Sequence, residues 1–265
     1  MERVGELVKA AAGLVADFVY PPACLACGAE VARHGALCAA CFLALEPITA
    51  PFCPVLGTPF VADPGPGIVS AEALSETRPY QRARAAVSYG PVARRLVSRL
   101  KYSDRPELAH FLARQMARAG AEYWPHGPVL VPVPMPFFRH LARRFNQAEE
   151  IARALGRLTG APVLTGLVRR SGETRRQVGL SGAERRRNLA GAFTVSPHAL
   201  SLLAGRPVVL VDDVITTGAT MRAVAAALAK AGITGIDVLA FARVVSAPEV
   251  PIYRAPPDEA DDETR

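Results

Sequence analysis

From about Tyr80 onward, the chain alternates continuous apolar runs with segments whose apolar residues recur every three or four positions. Short runs rich in valine, leucine and isoleucine are typical of buried strands, whereas the longer period is typical of amphipathic helices. The pattern predicts strands over 82–89, 128–134, 163–170, 206–214 and 235–245, and helices over 91–102, 107–120, 145–160 and 218–232. Buried strands that alternate with helices indicate an α/β fold with a mostly parallel sheet.

The same pattern divides the chain into four parts. We expect an N-terminal helix and a cysteine module in 1–60, a proline- and glycine-rich linker in 61–77, the α/β domain in 78–247, and a disordered acidic tail in 248–265. Within the domain, the polar and arginine-rich stretch 171–191 has no usable period. Such a long loop is typical of a functional lid or of disorder. No internal repeat is apparent.

Composition and charge narrow the classes of function. Half of the residues are apolar, which is enough for a full core, and the net charge of +7 favours an anionic partner such as phosphate, a nucleotide or nucleic acid. Charged residues interrupt the apolar stretch at the N-terminus, among them Glu2, Glu6, Lys9 and Asp17. This interruption argues against a secretory leader or a membrane span and favours an amphipathic helix that packs on another domain. We therefore expect a cytoplasmic protein with no membrane partner.

The five cysteines all lie in the first fifth of the chain. Four of them form the pattern C-x2-C-x10-C-x2-C, namely Cys24, Cys27, Cys38 and Cys41. Two such pairs supply the four thiolates of a tetrahedral structural Zn²⁺ site, which is favoured over reduced, unliganded cysteines. We expect Cys53 to be a buried free thiol and His34 a surface loop residue, with a ligand role as the alternative for each.

The stretch VVLVDDVITTGAT (208–220) joins a buried strand, two adjacent carboxylates and a run of small residues that leads into a helix. In an open α/β sheet, ligands bind at the carboxyl ends of the strands, where Asp212 and Asp213 are expected. Two carboxylates suit vicinal ribose hydroxyls, and the backbone N–H groups at a helix N-terminus suit phosphate. The residues expected around that phosphate are Thr216, Thr217, Gly218, Ala219 and Thr220.

This unit resembles the signature of type I phosphoribosyltransferases, which implies that fold and phosphoribosyl pyrophosphate (PRPP) as the ligand. Two alternatives are capping acids at a strand end and the acidic pocket of a response-regulator receiver. A receiver places its acids near its first strand, with most of its fold still to follow. Only about fifty residues follow the acid pair here, so PRPP binding is favoured.

The resemblance implies that a nucleophile, usually nitrogen, displaces pyrophosphate from C1 of PRPP, with Mg²⁺ on the diphosphate and ribose hydroxyls. Lys101 is expected in a loop between two helices, resembling the pyrophosphate-contacting loop, although a solvated surface lysine is an equal alternative. The expected catalytic residues are Asp212, Asp213, Lys101, Arg175 and Gln177. Expected PRPP contacts are Asp212, Asp213, Lys101, Arg143, Arg144 and the five residues of 216–220.

Four segments in order behind a cysteine module resemble the ComF family: LKYSDRPELA, VPVP followed by RRFNQAEEIA, ETRRQVGLSGAERRRNLAGAF, and VVLVDDVITTGATM. The resemblance covers about residues 18–246 and implies kinship with amidophosphoribosyltransferases and an association with DNA uptake in natural competence. It also favours a lid over disorder for 171–191. Two positions depart from the family pattern. Arg144 stands where a glycine is frequent, and Leu56 stands where the partner of Cys53 in a second C-x-x-C-G pair would be.

Two hypotheses for function follow. The first is a Mg²⁺-dependent phosphoribosyltransferase that acts on PRPP and a small-molecule acceptor, expected to attack through nitrogen and not identified by any motif. The second is a non-enzymatic PRPP or nucleotide sensor, or a DNA-handling protein that uses its zinc ribbon and basic surface. DNA and proteins of the competence machinery are candidate partners. The oligomeric state stays open, with a homo-oligomer among the alternatives.

Overall fold

The structure is a computed structural model that describes residues 20–75, 77–102, 106–135, 146–170, 191–245 and 253–254. In chain order its elements are α1 (Ala39–Leu43), β1 (Ile68–Val69), α2 (Ala71–Ser75), β2 (Ala83–Ser88), α3 (Pro91–Tyr102), α4 (Pro106–Ala119), a 3-10 turn (Trp124–His126), β3 (Val129–Pro132), α5 (Gln147–Thr159), β4 (Val168–Arg170), β5 (Phe193–Val195), α6 (Ala199–Leu203), β6 (Val208–Ile215), α7 (Ala219–Lys230), β7 (Ile236–Arg243) and β8 (Tyr253–Arg254). The predicted N-terminal helix, most of the predicted lid and nearly all of the tail lie outside the described residues.

A parallel sheet of four strands, in the order β2-β7-β6-β3, confirms the predicted α/β fold. The strand β6 is longer than the buried run suggests. It reaches Ile215 beside β7, whereas its other neighbour β3 ends at Pro132, opposite Val211. The acid pair therefore lies within β6 rather than after its end, at the point where β3 has already stopped. Among the described residues, no strand pairs with that side of β6 beyond Val211, which leaves space for a ligand.

Side chains of the sheet alternate between two hydrophobic clusters, as the period of two in a strand requires. On β6, Val209 and Val211 join the cluster with α3, α4 and α5, which we call the first cluster. Val208 and Leu210 point the other way and join the cluster with α7, which we call the second cluster. The sheet is thus covered on both faces, in agreement with its continuously apolar strands.

Two short antiparallel pairs flank the main sheet. Strand β4 pairs with β5, and β1 pairs with β8. The β4–β5 pair brings Arg170 opposite Phe193, so the two ends of the 171–190 stretch are held together. Of the predicted strand 163–170, only the last three residues form a strand, namely β4. Strand β5 and helix α6 were not predicted.

Two segments before the sheet have the same local backbone structure. We call residues 22–31 the first knuckle and residues 51–60 the second knuckle. Each has a glycine with positive φ at the turn, Gly28 at 84° and Gly57 at 67°. Three backbone hydrogen bonds recur at equivalent positions: Cys24 N to Ala29 O and Cys53 N to Thr58 O; Gly28 N to Cys24 O and Gly57 N to Cys53 O; Val31 N to Pro22 O and Phe60 N to Pro51 O.

The equivalence extends beyond the turns. Cys38 immediately precedes the five-residue helix α1, and Ser70 immediately precedes the five-residue helix α2. The expectation of no internal repeat is therefore wrong. The repeat is hidden in the sequence because only Cys53 retains a cysteine at the second set of positions. The stretch predicted to be a linker contains β1 and α2 of this second unit.

The two knuckles lie on opposite faces of the sheet. Cys24 and Leu25 of the first knuckle join the first cluster, whereas Cys53 and Leu56 of the second join the second cluster. Between them, residues 46–48 run along the outer edge of β2, where Ile48 N donates to Ala86 O at 3.0 Å and Ser88 N donates to Glu46 O at 2.8 Å. This pairing covers a sheet edge that would otherwise expose unpaired backbone groups.

Among the helices in the described part of the chain, none combines the length and the apolar character that a membrane span requires.

Candidate functional site

The acid pair on β6 is half-buried and asymmetric. Asp213 Oδ2 lies 3.1 Å from Lys101 Nζ, whereas Asp212 Oδ1 accepts a hydrogen bond from Asp213 N at 2.8 Å. Burial, followed by the negative charge of Asp213, raises the pKa of the Asp212 carboxyl well above its usual range. The hydrogen bond from Asp213 N and the charge of Lys101 offset this shift only in part, and a ligand that donates hydrogen bonds to Asp212 would add to the compensation.

Lys101 reaches the site from the last turn of α3, not from the loop where it was expected. The apolar stripe of α3 runs through Leu96, Val97 and Leu100, all fully buried, so the helix continues past them and carries Lys101 with it. The side chain of Lys101 is 26% exposed and that of Asp213 is 15% exposed, so the ion pair is partly shielded from water. Of the two alternatives for Lys101, this geometry favours a place in the site over a solvated surface lysine.

The predicted phosphate loop leads into the N-terminus of α7. Gly218 adopts a left-handed conformation with φ of 68°, which explains why a glycine precedes the helix. Ala219 N donates to Thr217 Oγ1 at 3.4 Å, and Arg222 Nη2 donates to Thr217 O at 2.8 Å. Ala219 and Thr220 form the first turn of α7, while Thr216 and Thr217 are exposed in the turn before it. Exposed hydroxyls and N-terminal amides in this arrangement suit a phosphate group.

A cavity of about 170 Å³ joins the acid pair to four other elements. Its polar lining comes from β6, α3, the N-terminal end of α5, the end of β4 and the first turn of α7, namely Asp212, Asp213, Lys101, Asn146, Gln147, Arg170 and Thr220. The lining combines carboxylates with cations and amide groups. Such a mixture suits a ligand that presents both hydroxyls and phosphate oxygens.

The N-terminus of α5 contributes a buried donor to this cavity. Asn146 caps the helix, since its Oδ1 accepts from Ala148 N at 3.2 Å and its Nδ2 donates to Val133 O at 3.3 Å. Gln147 is 4% exposed, and its Nε2 has no hydrogen-bond partner among the described residues. A buried, unpaired donor is costly, so an acceptor atom of a ligand would stabilise it.

Two cations near the site were missed in the sequence. Arg170 lines the cavity at the end of β4, with its guanidinium 5.6 Å from the ring centroid of Phe193, and Arg222 contacts the phosphate loop. Arg170 directly precedes the predicted lid, and Arg222 follows Gly218 by one helical turn. In the sequence, only this proximity to the predicted lid and to the phosphate loop points to a role for the two arginines.

Several predicted site residues fall outside the described part of the chain. They are Arg143 and Arg144, expected to bind PRPP, and Arg175 and Gln177, expected to act in catalysis. The structure brings together the other predicted residues near one cavity or beside it at the start of α7.

The second predicted site, the four-cysteine cluster, lies at the first knuckle and α1. The Sγ atoms of its members all lie within 4.8 Å of one another, and those of Cys27 and Cys38 are 3.7 Å apart. Sulfur atoms around a tetrahedral Zn²⁺ with Zn–S bonds of about 2.3 Å would be roughly 3.8 Å apart, so the cluster fits this metal. The described residues contain no other such group, and neither Cys53 nor His34 belongs to it.

The ionisation of these thiols also fits a cation. Burial raises the pKa of Cys41 to about 12, and hydrogen bonds with the neighbouring thiols add to the shift. Burial acts in the same direction on Cys24, but backbone hydrogen bonds from Cys27, Cys38 and Ala26 outweigh it and lower the pKa of Cys24 to about 6. One thiolate is thus stabilised by the protein alone, whereas four together need a metal ion.

Comparisons with known proteins give one family match over the four-cysteine cluster and another over the acid pair. Residues 15–73 match the family described as double zinc ribbon domain, and residues 101–263 match the phosphoribosyl transferase domain. The DNA utilization protein YhgH of Salmonella typhi is 30% identical over 232 residues, which cover 85% of this chain and 98% of that protein. YhgH of Escherichia coli strain K12 is 30% identical over 233 residues, with the same coverage.

Two further relatives match only in part. Competence protein F of Haemophilus influenzae is 40% identical over 114 residues, which cover 43% of this chain and about half, 49%, of that protein. A hypoxanthine/guanine phosphoribosyltransferase of Methanobacterium lacus is 38% identical over 91 residues, which cover 34% of this chain and 44% of that enzyme.

Proposed function

Since the chain belongs to the ComF/YhgH-like proteins with a phosphoribosyl transferase domain, we propose that it binds PRPP with Mg²⁺ and transfers the phosphoribosyl group to a nitrogen acceptor, with release of pyrophosphate. The observation that carries this proposal is the half-buried acid pair, which shares a cavity with a lysine and with the first turn of a helix that begins at a left-handed glycine. These groups match the diol and the 5-phosphate of a ribose phosphate.

In this proposal the acid pair holds the ribose. Asp212 and Asp213 accept hydrogen bonds from the two hydroxyls, and the amides and hydroxyls of Thr216–Thr220 hold the 5-phosphate. Lys101, already beside Asp213, lies within reach of the departing diphosphate. Fixed groups of this kind favour bond breaking because they stabilise charge as it develops.

The transfer itself breaks the bond between C1 and the diphosphate oxygen, and the electron pair leaves with pyrophosphate. The acceptor nitrogen then forms the new bond to C1 and loses a proton. Carboxylate oxygens are ligands that Mg²⁺ prefers, so Asp212 and Asp213 are the residues that would help to hold this ion, and it would supply charge neutralisation for the diphosphate. The buried amide of Gln147 and the guanidinium of Arg170 are placed to orient the ligand in the same cavity.

We also propose that the four-cysteine cluster holds a structural Zn²⁺. A closed set of four thiolates leaves no open position on the metal, which suits stabilisation and not catalysis. Its contacts with the first cluster support the same role, because Cys24 and Cys41 are buried among the residues of that core.

Handling of DNA is a second candidate function. The net charge of +7 and the names of two relatives, a DNA utilization protein and a competence protein, support it. Salt-dependent binding of single-stranded DNA that persists without PRPP would favour this role. The two functions are compatible, since the acid pair and its cavity would serve the ribose phosphate in either case.

Calorimetry with PRPP and Mg²⁺ tests the proposal directly. We expect Asp213→Asn to weaken binding by about 10- to 100-fold, because a charge-assisted hydrogen bond contributes about 1.5–3 kcal/mol. Asp63→Asn is the matched control, since Asp63 is exposed and accepts a hydrogen bond from Gly65 N in its own loop. Wild-type protein that does not bind PRPP, or Asp213→Asn protein that binds equally well, would refute the assignment.

The pH dependence of binding tests the role of Asp212. Its pKa is raised in the protein, and hydrogen bonds from a ribose diol would lower it, so PRPP binding should release a proton and strengthen as Asp212 ionises with rising pH. Calorimetry in two buffers of different ionisation enthalpy measures the proton. Asp212→Asn should abolish the part of the release that comes from the protein, while the part that comes from PRPP itself stays.

Catalysis is tested by release of pyrophosphate. The protein is incubated with PRPP, Mg²⁺ and a panel of amines and bases, and pyrophosphate is measured. We expect release that depends on one acceptor and is lost in Asp213→Asn. PRPP binding without release for any acceptor would favour the sensor over the enzyme.

A further inference from the structure

The helix α3 connects the two sites described above. Near its C-terminal end, Arg99 Nη1 donates hydrogen bonds to Leu25 O at 3.1 Å and Cys24 O at 3.4 Å. Both carbonyls belong to the turn of the first knuckle, and a Cβ atom added to Gly28 in that turn would lie 3.6 Å from Arg99 Nη2. The guanidinium therefore lies directly against the backbone that presents Cys24 and Cys27.

The opposite side of the same helical turn faces the acid pair. Lys101 follows Arg99 by two residues, which places the two side chains roughly 200° apart around a helix of 3.6 residues per turn. Lys101 Nζ lies 3.1 Å from Asp213 Oδ2. One turn of α3 thus contacts the cysteine knuckle on one side and the candidate PRPP site on the other.

Apolar packing makes this connection rigid. Leu96 and Leu100 of α3 are buried in the first cluster together with Leu25 and Ala26 of the first knuckle. Close-packed interiors transmit small displacements instead of absorbing them. A shift of the knuckle backbone would therefore move the last turn of α3, and Lys101 with it.

We propose that Arg99 is a positioning residue, which ties the last turn of α3 to the four-cysteine knuckle and so fixes Lys101 beside Asp213. The proposal rests on the proposed function of the acid pair. It assigns the N-terminal module a part in PRPP binding, because the zinc-binding turn sets the position of a residue in the PRPP site.

Arginine suits this role better than lysine does. Its planar guanidinium can hold two carbonyl oxygens in a fixed direction, whereas a lysine ammonium is a mobile point charge. Arg95 on the same helix provides a matched control, since it is exposed and has the same charge.

A double-mutant cycle in PRPP/Mg²⁺ calorimetry tests the proposal. We expect Arg99→Ala to weaken binding by about fivefold, Arg99→Lys to weaken it less, and Arg95→Ala to change it by less than about twofold. In a Lys101→Ala background, Arg99→Ala should have almost no further effect, because the residue that it positions is gone. Unchanged binding in Arg99→Ala, or the same loss in the Lys101→Ala background, would overturn the proposal.

Hydrogen exchange provides a test that does not depend on PRPP. In zinc-loaded protein, Arg99→Ala should speed amide exchange in 97–102 by about tenfold, whereas Arg95→Ala should leave it unchanged. If wild type fails to bind PRPP but exchange responds as expected, the proposed function is wrong and the tie between α3 and the knuckle stands. If wild type binds PRPP and exchange in Arg99→Ala equals that of wild type, the tie is refuted alone.

Discussion

The first and second knuckles share one backbone structure but are stabilised by different interactions. In the first unit the four equivalent positions hold cysteines that fit one metal ion, whereas in the second unit three of the four have changed. The pairs are Cys24 and Cys53, Cys27 and Leu56, Cys38 and Ser70, and Cys41 and Ala73. The remaining thiol, Cys53, accepts hydrogen bonds from the backbone N–H groups of Leu56 and Ser70, both at 3.4 Å.

Packing has taken the place of metal ligation in the second knuckle. Leu56 is 1% exposed and Cys53 is fully buried, and both belong to the second cluster. Two arginines of the sheet hold the carbonyls of this turn, since Arg84 Nη1 donates to Pro54 O at 2.9 Å and Arg243 Nη1 donates to Leu56 O at 3.2 Å. Both knuckles are therefore packed in a core and have carbonyls held by arginine, and they differ in that only the first keeps four thiols that fit a metal ion.

Removing one thiol from each knuckle should produce the largest difference between them, in zinc content and in local unfolding. Cys24→Ser removes a zinc ligand, so the first knuckle should lose its metal and unfold locally, because structural zinc contributes folding energy outright. Cys53→Ser replaces a buried thiol and should cost only about 1–2 kcal/mol. Zinc content and limited proteolysis of the two variants measure the difference. Equal zinc content in both would contradict the assignment of the metal to the first knuckle.

Leu56→Ala tests the apolar constraint of the second knuckle. We expect a loss of about 2–4 kcal/mol in the free energy of unfolding, since the site is fully packed and a cavity would remain. Denaturant unfolding in the presence of zinc measures it, and zinc content should be unchanged. Leu43→Ala is the control, because Leu43 on α1 is 83% exposed and should cost less than about 0.5 kcal/mol.

The two turn glycines should respond differently to alanine. Both have positive φ, which alone costs about 1–2 kcal/mol in an L residue. At Gly57 the added Cβ would also lie 2.6 Å from Ala83 O, whereas at Gly28 its nearest neighbour is a flexible arginine end at 3.6 Å. The melting temperature of Gly57→Ala should therefore fall further than that of Gly28→Ala. Equal shifts would show that the second knuckle is not docked tightly on β2.

The sharpest test of the repeat is to restore the missing ligands. The triple variant Leu56→Cys, Ser70→Cys and Ala73→Cys should bind one more Zn²⁺ per chain than wild type, because the backbone already has the knuckle geometry. Zinc quantification by a chromogenic chelator measures the ratio. The single variant Leu56→Cys supplies only two thiols at this site and should bind no additional zinc.

The main features of the site were predictable from local pattern. The run VVLVDDVITTGAT specified a strand, an acid pair and a helix start, and the structure has all three, with the acids inside the strand rather than after it. The spacing of the cysteine pairs specified one cluster in the same way. Each of these features depends on residues close together in the chain, so their spacing alone determines their geometry.

Other features depend on contacts between distant segments. Lys101 and Asp213 are far apart in the chain, and their ion pair exists because α3 ends beside the open side of β6. Arg170 reaches the cavity because β4 pairs with β5, which no local period predicts. The position of the acids within β6 follows from the early end of β3, a property of the neighbouring strand.

The sequence by itself determined the α/β fold, the acid pair with its helix N-terminus, and the four-cysteine cluster, because periodicity, charge and spacing are local properties of a chain. The family resemblance already placed Cys53 and Leu56 at a second cysteine pair, but only the tertiary structure showed that 51–60 keeps the knuckle backbone and that the two knuckles pack on opposite faces of one sheet. It also placed Arg99 between the cysteines and Lys101. Burial and backbone docking replaced the cysteines of the second knuckle, and such contacts leave no spacing pattern in the sequence.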